Sequence, residues 1–366
     1  MPSANSLVAS LPATIPFVGP ERLERENGGA FKARLGANEC NFGCSPDAIT
    51  AMDRAARDDV WKYSDPEVWE LRQALAGHIG ISMDELVVGP GIDNLLGLTV
   101  RIFSDAGDPI VSSAGAYPTF NYHVAGFGRR LVTVPYRDDK EDLDALATAA
   151  ERERAKIVYL SNPDNPMGTW WSGAAIEAFI DMLPDETLLI LDEAYGELAP
   201  DGVRPSIDTG RKNVLRFRTF SKAYGLAGLR VGYVFGPADL CVQYHKVRDH
   251  FGVNVMAQHA ALAALADQKW LEQVSVHFEA ARKHIAAIAT ANGLAPLPSA
   301  TNFVTIDCGR DGNYALRVLK ELNARDVFIR KPGAPGIDRC IRVSCGLPHE
   351  LDYFEAALPE ALKAAE

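Results

Sequence analysis

From about Pro46 to residue 240 the chain alternates short apolar runs with stretches whose apolar residues recur every three or four positions. The runs cover 85–88, 109–112, 131–134, 157–160, 188–191, 214–218 and 231–235. Each has the length of a strand, and the first six are apolar enough to be buried on both faces. Helical spacing fills most of the gaps, as over 92–103 and 174–182. Strands alternating with helices predict a mostly parallel, seven-stranded sheet covered on both sides.

The texture differs at both ends. The first 30 or so residues are punctuated by Pro and Gly and weakly periodic, which predicts an arm with little regular structure. Residues 257–291 form one long helical run, with Leu262, Leu265, Leu271, Val274, Phe278, Ala281, Ile285 and Ile288 on its apolar stripe and a stop at Asn292-Gly293. Short runs at 302–306, 327–329 and 340–343 follow, with a helix over 314–323. The chain therefore reads as an arm over 1–45, a large α/β domain over 46–245 and a smaller α+β domain over 246–366.

Composition narrows the partners. The 366 residues carry 37 Lys and Arg against 48 Asp and Glu, a formal charge of −11. That balance argues against nucleic acid and against an anionic membrane surface. No window approaches the ~18 apolar residues of a membrane span, and the amino-terminal segment lacks the basic start of a signal peptide. The six cysteines, Cys40, Cys44, Cys241, Cys308, Cys340 and Cys345, form no C-x-x-C pair, and neither they nor the histidines cluster at ligand spacing. Reduced thiols in a cytoplasmic protein without a metal are expected.

The candidate chemistry sits where runs end, the edge at which open α/β sheets hold ligands. The run at 188–191 delivers Asp192, followed by Glu193-Ala194-Tyr195. The run at 214–218 leads into Thr219-Phe220-Ser221-Lys222, then small residues, then Arg230. Hydroxyls plus a guanidinium fork make a phosphate site. Gly91-Ile92-Asp93 opens a helix whose free N–H groups favour an anion. The segment from Ser161 to Thr169 is stiffened by Pro163 and Pro166 and offers the amide of Asn165. No G-x-G-x-x-G follows the first strand, which argues against a nicotinamide dehydrogenase.

Taken in order, Ala37-Asn38-Glu39, Tyr63-Ser64-Asp65-Pro66 with Leu71-Arg72, Gly91-Ile92-Asp93, Tyr117-Pro118, Asn162 to Thr169, Asp192 to Tyr195, Ser221-Lys222 with Arg230, and Ile341-Arg342-Val343 resemble the fold-type-I pyridoxal-phosphate enzymes of aminotransferase class I and II. The nearest likeness is to the histidinol-phosphate aminotransferase branch. The resemblance implies the fold-type-I architecture, pyridoxal 5′-phosphate as cofactor and a ping-pong transfer of an amino group to a 2-oxo acid. It implies that Lys222 holds the cofactor as a Schiff base and shuttles a proton, and that Asp192 pairs with the ring nitrogen. Tyr195 and Asn165 would bond the ring's phenolic oxygen, and Tyr117 would stack on the ring. Gly91, Ile92, Asp93, Thr219, Ser221 and Arg230 would cradle the phosphate. Tyr63 would reach the phosphate of a second copy, implying a homodimer with shared sites. Arg342 would clamp the substrate carboxylate with Asn38 nearby, and Arg330 would read the substrate's distal anion.

The sequence departs from that branch at Cys40, Asn41, Phe42 and Cys44, at Met167, and in the arm, where Phe17 stands in place of a tyrosine. The donor is thus left open between histidinol phosphate and an aromatic, acidic or phosphorylated amino acid. A decarboxylase of a phosphorylated amino acid uses the same Lys and Asp and is the alternative reading. A non-catalytic protein that binds the same cofactor is a further one.

Overall fold

The computed structural model describes residues 2–12 and 18–366. Its strands are β1 (Ala33–Arg34), β2 (Leu86–Gly89), β3 (Pro109–Ser113), β4 (Arg130–Val134), β5 (Ile157–Ser161), β6 (Leu188–Asp192), β7 (Val214–Thr219), β8 (Gly232–Phe235), β9 (Ala295–Pro296), β10 (Phe303–Asp307), β11 (Val327–Phe328) and β12 (Cys340–Ser344). All seven runs expected to build the large sheet do so, in the order β2-β8-β7-β6-β5-β3-β4. Only β8 runs antiparallel to its neighbours. The others pair in parallel.

Alternation along these strands distributes the core to both faces. Ile157, Tyr159, Ile190, Leu215 and Phe217 pack on one side with the helices Ile92–Phe103 and Pro118–Gly126. Val158, Leu160, Leu189 and Leu191 pack on the other with Leu143–Glu153 and Gly173–Met182. Each fully buried Ile, Leu or Phe contributes about 1.5–3 kcal/mol. β4 departs from the expected two-sided burial. It lies at the sheet edge, and of its residues only Val134 is buried.

Two other expectations are corrected. The arm contains two helices, Ser6–Ser10 and Pro20–Asn27. Asn5 caps the first through the Val8 N–H, and Pro20 and Gly28 start and stop the second. Phe17 lies outside the described residues. The long run at 257–291 is two helices, Val255–Ala266 and Gln268–Ala291, broken at Asp267. Asp267 leaves helical geometry, accepts the Trp270 N–H at 3.1 Å, and accepts the Ser45 hydroxyl at 2.6 Å. The first helix packs among Ala48, Leu71 and Leu75. The second packs with Val304, Ile306 and Phe354.

A three-stranded sheet, β12-β10-β9, and the pair β1-β11 complete the strands. β1 and β9, two residues each, were too short to read as runs. The pair β1-β11 ties the arm to the carboxyl-terminal part, where Ala33 and Leu35 join the same core as Val343 and Leu358. Among the described residues, no helix is long and apolar enough to cross a membrane.

Candidate active site

A cavity of about 680 Å³ opens at the carboxyl ends of β5, β6 and β7. Every candidate residue named from the sequence lines it except Gly91 and Tyr63. Gly91 sits directly behind it. With φ 81°, it adopts a conformation only glycine takes readily, and a Cβ there would collide with the Arg230 guanidinium. Tyr63 is elsewhere, 81 % exposed and stacked on Phe251 at 4.7 Å.

Asp192 ends β6 and is buried. The Tyr159 hydroxyl donates to its Oδ2 at 2.7 Å and the Ala194 N–H to its Oδ1 at 2.9 Å. Burial pushes its pKa up to about 6, against the pull of those two donors and of Lys222. The Lys222 ammonium donates to the Asn38 carbonyl at 3.0 Å and lies 5.8 Å from the Tyr195 ring centre. Burial first, and the nearby Arg342 charge second, bring its pKa down to about 8. Asn38 is a hub: its Nδ2 donates to the Tyr195 hydroxyl at 3.1 Å and its Oδ1 accepts from Ser344 at 2.8 Å. It does this at φ 55°, in the left-handed region, which asparagine tolerates better than most residues. Burial pushes the Tyr195 pKa up and that of Tyr117 up to about 12, so both phenols stay protonated.

On the opposite wall the Arg342 Nη1 donates to the Asn165 Oδ1 at 2.5 Å and its Nη2 to the Gly36 carbonyl at 3.2 Å. Arg330 and Arg342 are backbone partners, with reciprocal N–H to carbonyl bonds of 3.1 and 2.7 Å. The Arg330 guanidinium donates to the Val18 carbonyl of the arm. Burial and then the Arg342 charge lower its pKa to about 10. At the other end Thr219 and Ser221 bond each other at 3.0 Å, Arg230 approaches Ser221 at 3.5 Å, and the helix Ile92–Phe103 begins.

This donor set fits pyridoxal 5′-phosphate. Hydroxyls, a guanidinium and a helix start gather at one end for a phosphate. A buried carboxylate and a half-buried amine of lowered pKa face the space between. Sequence reading missed Tyr159, which is apolar in pattern and sits mid-strand, and His123, whose Nε2 lies 3.2 Å from Asp93 Oδ1. Neither carries a local signal, since both meet their partners only through the fold.

The aminotransferase class I and II model matches residues 32–358. The chain is 37 % identical to a histidinol-phosphate aminotransferase of an Anaeromyxobacter species, over 100 % of both chains. It is 32 % identical to that of Moorella thermoacetica, over 99 % of this chain and 94 % of the relative. The crystal structure of histidinol-phosphate aminotransferase from Sinorhizobium meliloti in complex with pyridoxal-5′-phosphate superposes with a TM-score of 0.95 at 50 % identity, covering 99 % of this chain and 98 % of that one.

Proposed function

This chain belongs to the aminotransferase class I and II family, and we propose that it moves an amino group from histidinol phosphate to a 2-oxo acid such as 2-oxoglutarate, using pyridoxal 5′-phosphate. The single observation that carries the choice of donor is the Arg330–Arg342 pair. Two guanidinium groups face one cavity, and burial first and the Arg342 charge second lower the pKa of Arg330. A phosphate dianion relieves that repulsion, whereas a neutral aromatic side chain does not. The names of the relatives point the same way and do not favour the decarboxylase reading.

When bound, the cofactor supplies an aldehyde that joins amines covalently and a protonated ring that withdraws electrons. In this reading Asp192, held by Tyr159 and Ala194, keeps the proton on the ring nitrogen. Lys222, with its lowered pKa, would be the amine that holds the cofactor and the group that moves a proton at the substrate carbon bearing nitrogen. Tyr195 and Asn165 would donate to the ring oxygen, Tyr117 would cover the ring, and Thr219, Ser221, Arg230 and the Ile92 and Asp93 N–H groups would hold the phosphate. Arg342 and Arg330 would hold the donor's phosphate, and in turn the carboxylates of the 2-oxo acid, and thereby orient the reacting bond. The exposed Tyr63, with Trp61 at 81 % and Phe251 at 48 % exposure, supports a homodimer in which Tyr63 serves the second copy's site. All six cysteines are free thiols, which supports a reducing, cytoplasmic setting.

A spectral titration tests the donor. The visible band of the Lys222-bound cofactor is expected to bleach with micromolar to millimolar histidinol phosphate and not with phenylalanine or aspartate at the same concentrations. Equal bleaching by a neutral aromatic donor overturns the assignment.

A further inference from the structure

A second cavity, of about 380 Å³, lies on the other side of β7 and shares no lining residue with the first. Alternation along β7 sends Phe217 into the apolar core and Thr219 into the active-site cavity, while Arg216 and Arg218 turn the opposite way. There Glu193, fully buried, accepts from Arg216 at 2.6 Å and from Arg218 at 2.9 Å. One carboxylate thus serves two guanidinium groups. Arg218, whose side chain is only 6 % exposed, also bonds Tyr233 and lines the cavity.

Arg204, His78 and Ser206 line the same space. Among the described residues, neither the Arg204 guanidinium nor the His78 ring has a hydrogen-bond or ion-pair partner. The negative groups here are Glu193, already shared, Glu197, which faces both Arg218 and Arg204, and Asp201 on the exposed rim. Arg204 and His78 thus present donors to this space that no carboxylate of the protein takes up, with Arg218 beside them. The lowered pKa of His78, caused first by partial burial and then by the charges of Arg218 and Arg204, agrees with that. These unpartnered groups favour an anion over a cation. Two guanidinium groups, an imidazole and a hydroxyl suit an oxyanion that accepts several hydrogen bonds at once. Ile79, Pro205 and Ile207 give the rest of the wall an apolar character, which leaves room for a small organic group beside the anion.

We propose that this cavity is a second ligand site, for a phosphate group carried either as inorganic phosphate or as a small phosphate monoester. The holoenzyme is the material to test, because bound cofactor occupies the phosphate cradle of the first cavity. Crystals of the holoenzyme soaked in selenate, with diffraction recorded at the selenium edge, are expected to give an anomalous peak bounded by Arg204, Arg218 and His78. In solution, calorimetric titrations with inorganic phosphate and with glycerol 3-phosphate identify which form is preferred. Arg204→Ala is expected to weaken the binding class that belongs to this site about tenfold and to leave kcat for transamination unchanged. His78→Ala provides a second, independent variant with the same expectation. A peak confined to the first cavity overturns the proposal. So does a peak at Arg204 with phosphate affinity that is immeasurable or insensitive to Arg204→Ala, which would mark an adventitious ion only.

Discussion

The amine of Lys222 is predicted to titrate near pH 8 in the cofactor-free enzyme, against 10.5 for an ordinary lysine. The largest cause is burial, which disfavours the charged ammonium, and the next is the Arg342 guanidinium. At pH 7 about one amine in ten is then unprotonated, against about 0.03 % for an ordinary lysine, a roughly 300-fold larger population of free amine able to attack an electrophile. Trace labelling of the apoenzyme with acetic anhydride across pH 6–11, read by mass spectrometry on the peptide holding Lys222, measures the midpoint directly. Arg342→Gln removes a neighbouring cation, so the ammonium becomes easier to keep and the midpoint moves upward. It should stop short of 10.5, because the larger cause, burial, remains. A wild-type midpoint at or above 10 would refute the reasoning. A downward move in Arg342→Gln would show that the sign of the coupling is wrong.

Asp192→Asn should retain cofactor but lose kcat by several orders of magnitude, since an amide cannot hold a pyridinium proton; near-normal turnover would make Asp192 structural. Glu193→Gln strands two buried guanidinium groups and should cost about 3–5 kcal/mol in urea unfolding. Burial alone would raise the Glu193 pKa, but Arg218 and Arg216 outweigh it and hold it below its ordinary 4.5. Its contribution is therefore complete above about pH 4.5 and fades as pH falls through the lower folded value, and a variant that unfolds at the wild-type midpoint contradicts this. Arg330→Ala should reduce kcat/KM for histidinol phosphate by about 2–5 kcal/mol while leaving neutral aromatic donors within about threefold; equal losses for both would remove Arg330 as the anion reader. Mixing inactive Lys222→Ala with an inactive Tyr63 variant should restore part of the activity, because one hybrid site carries both lesions and the other neither. A fully active monomer in sedimentation would exclude that sharing.

Much of the architecture was legible because the signals are local. Apolar runs such as those of β5 and β6 are buried on both faces, and that demand is written residue by residue. The placing of Asp192, Lys222 and Arg230 at strand ends follows from the same register. Where context decided, the sequence misled. β4 has the hydrophobicity of an inner strand but lies at the edge. The run at 257–291 keeps helical spacing through Asp267, yet that residue breaks it by taking the hydroxyl of Ser45, a contact 222 positions away in the chain.

The sequence by itself determined which residue types stand at each strand end, and through them the family and the chemistry. Only the tertiary structure decided which partners those residues meet. Tyr159 bonds Asp192 across 33 positions, Asn38 bonds Ser344 across 306, and the arm lays Val18 against Arg330. It also turned Arg216 and Arg218 toward one shared Glu193 and left Arg204 and His78 facing a second cavity. The physical reason is range. Burial and backbone geometry are set by neighbours along the chain, whereas a pKa, an ion pair or a cavity depends on groups that only folding brings within a few ångströms.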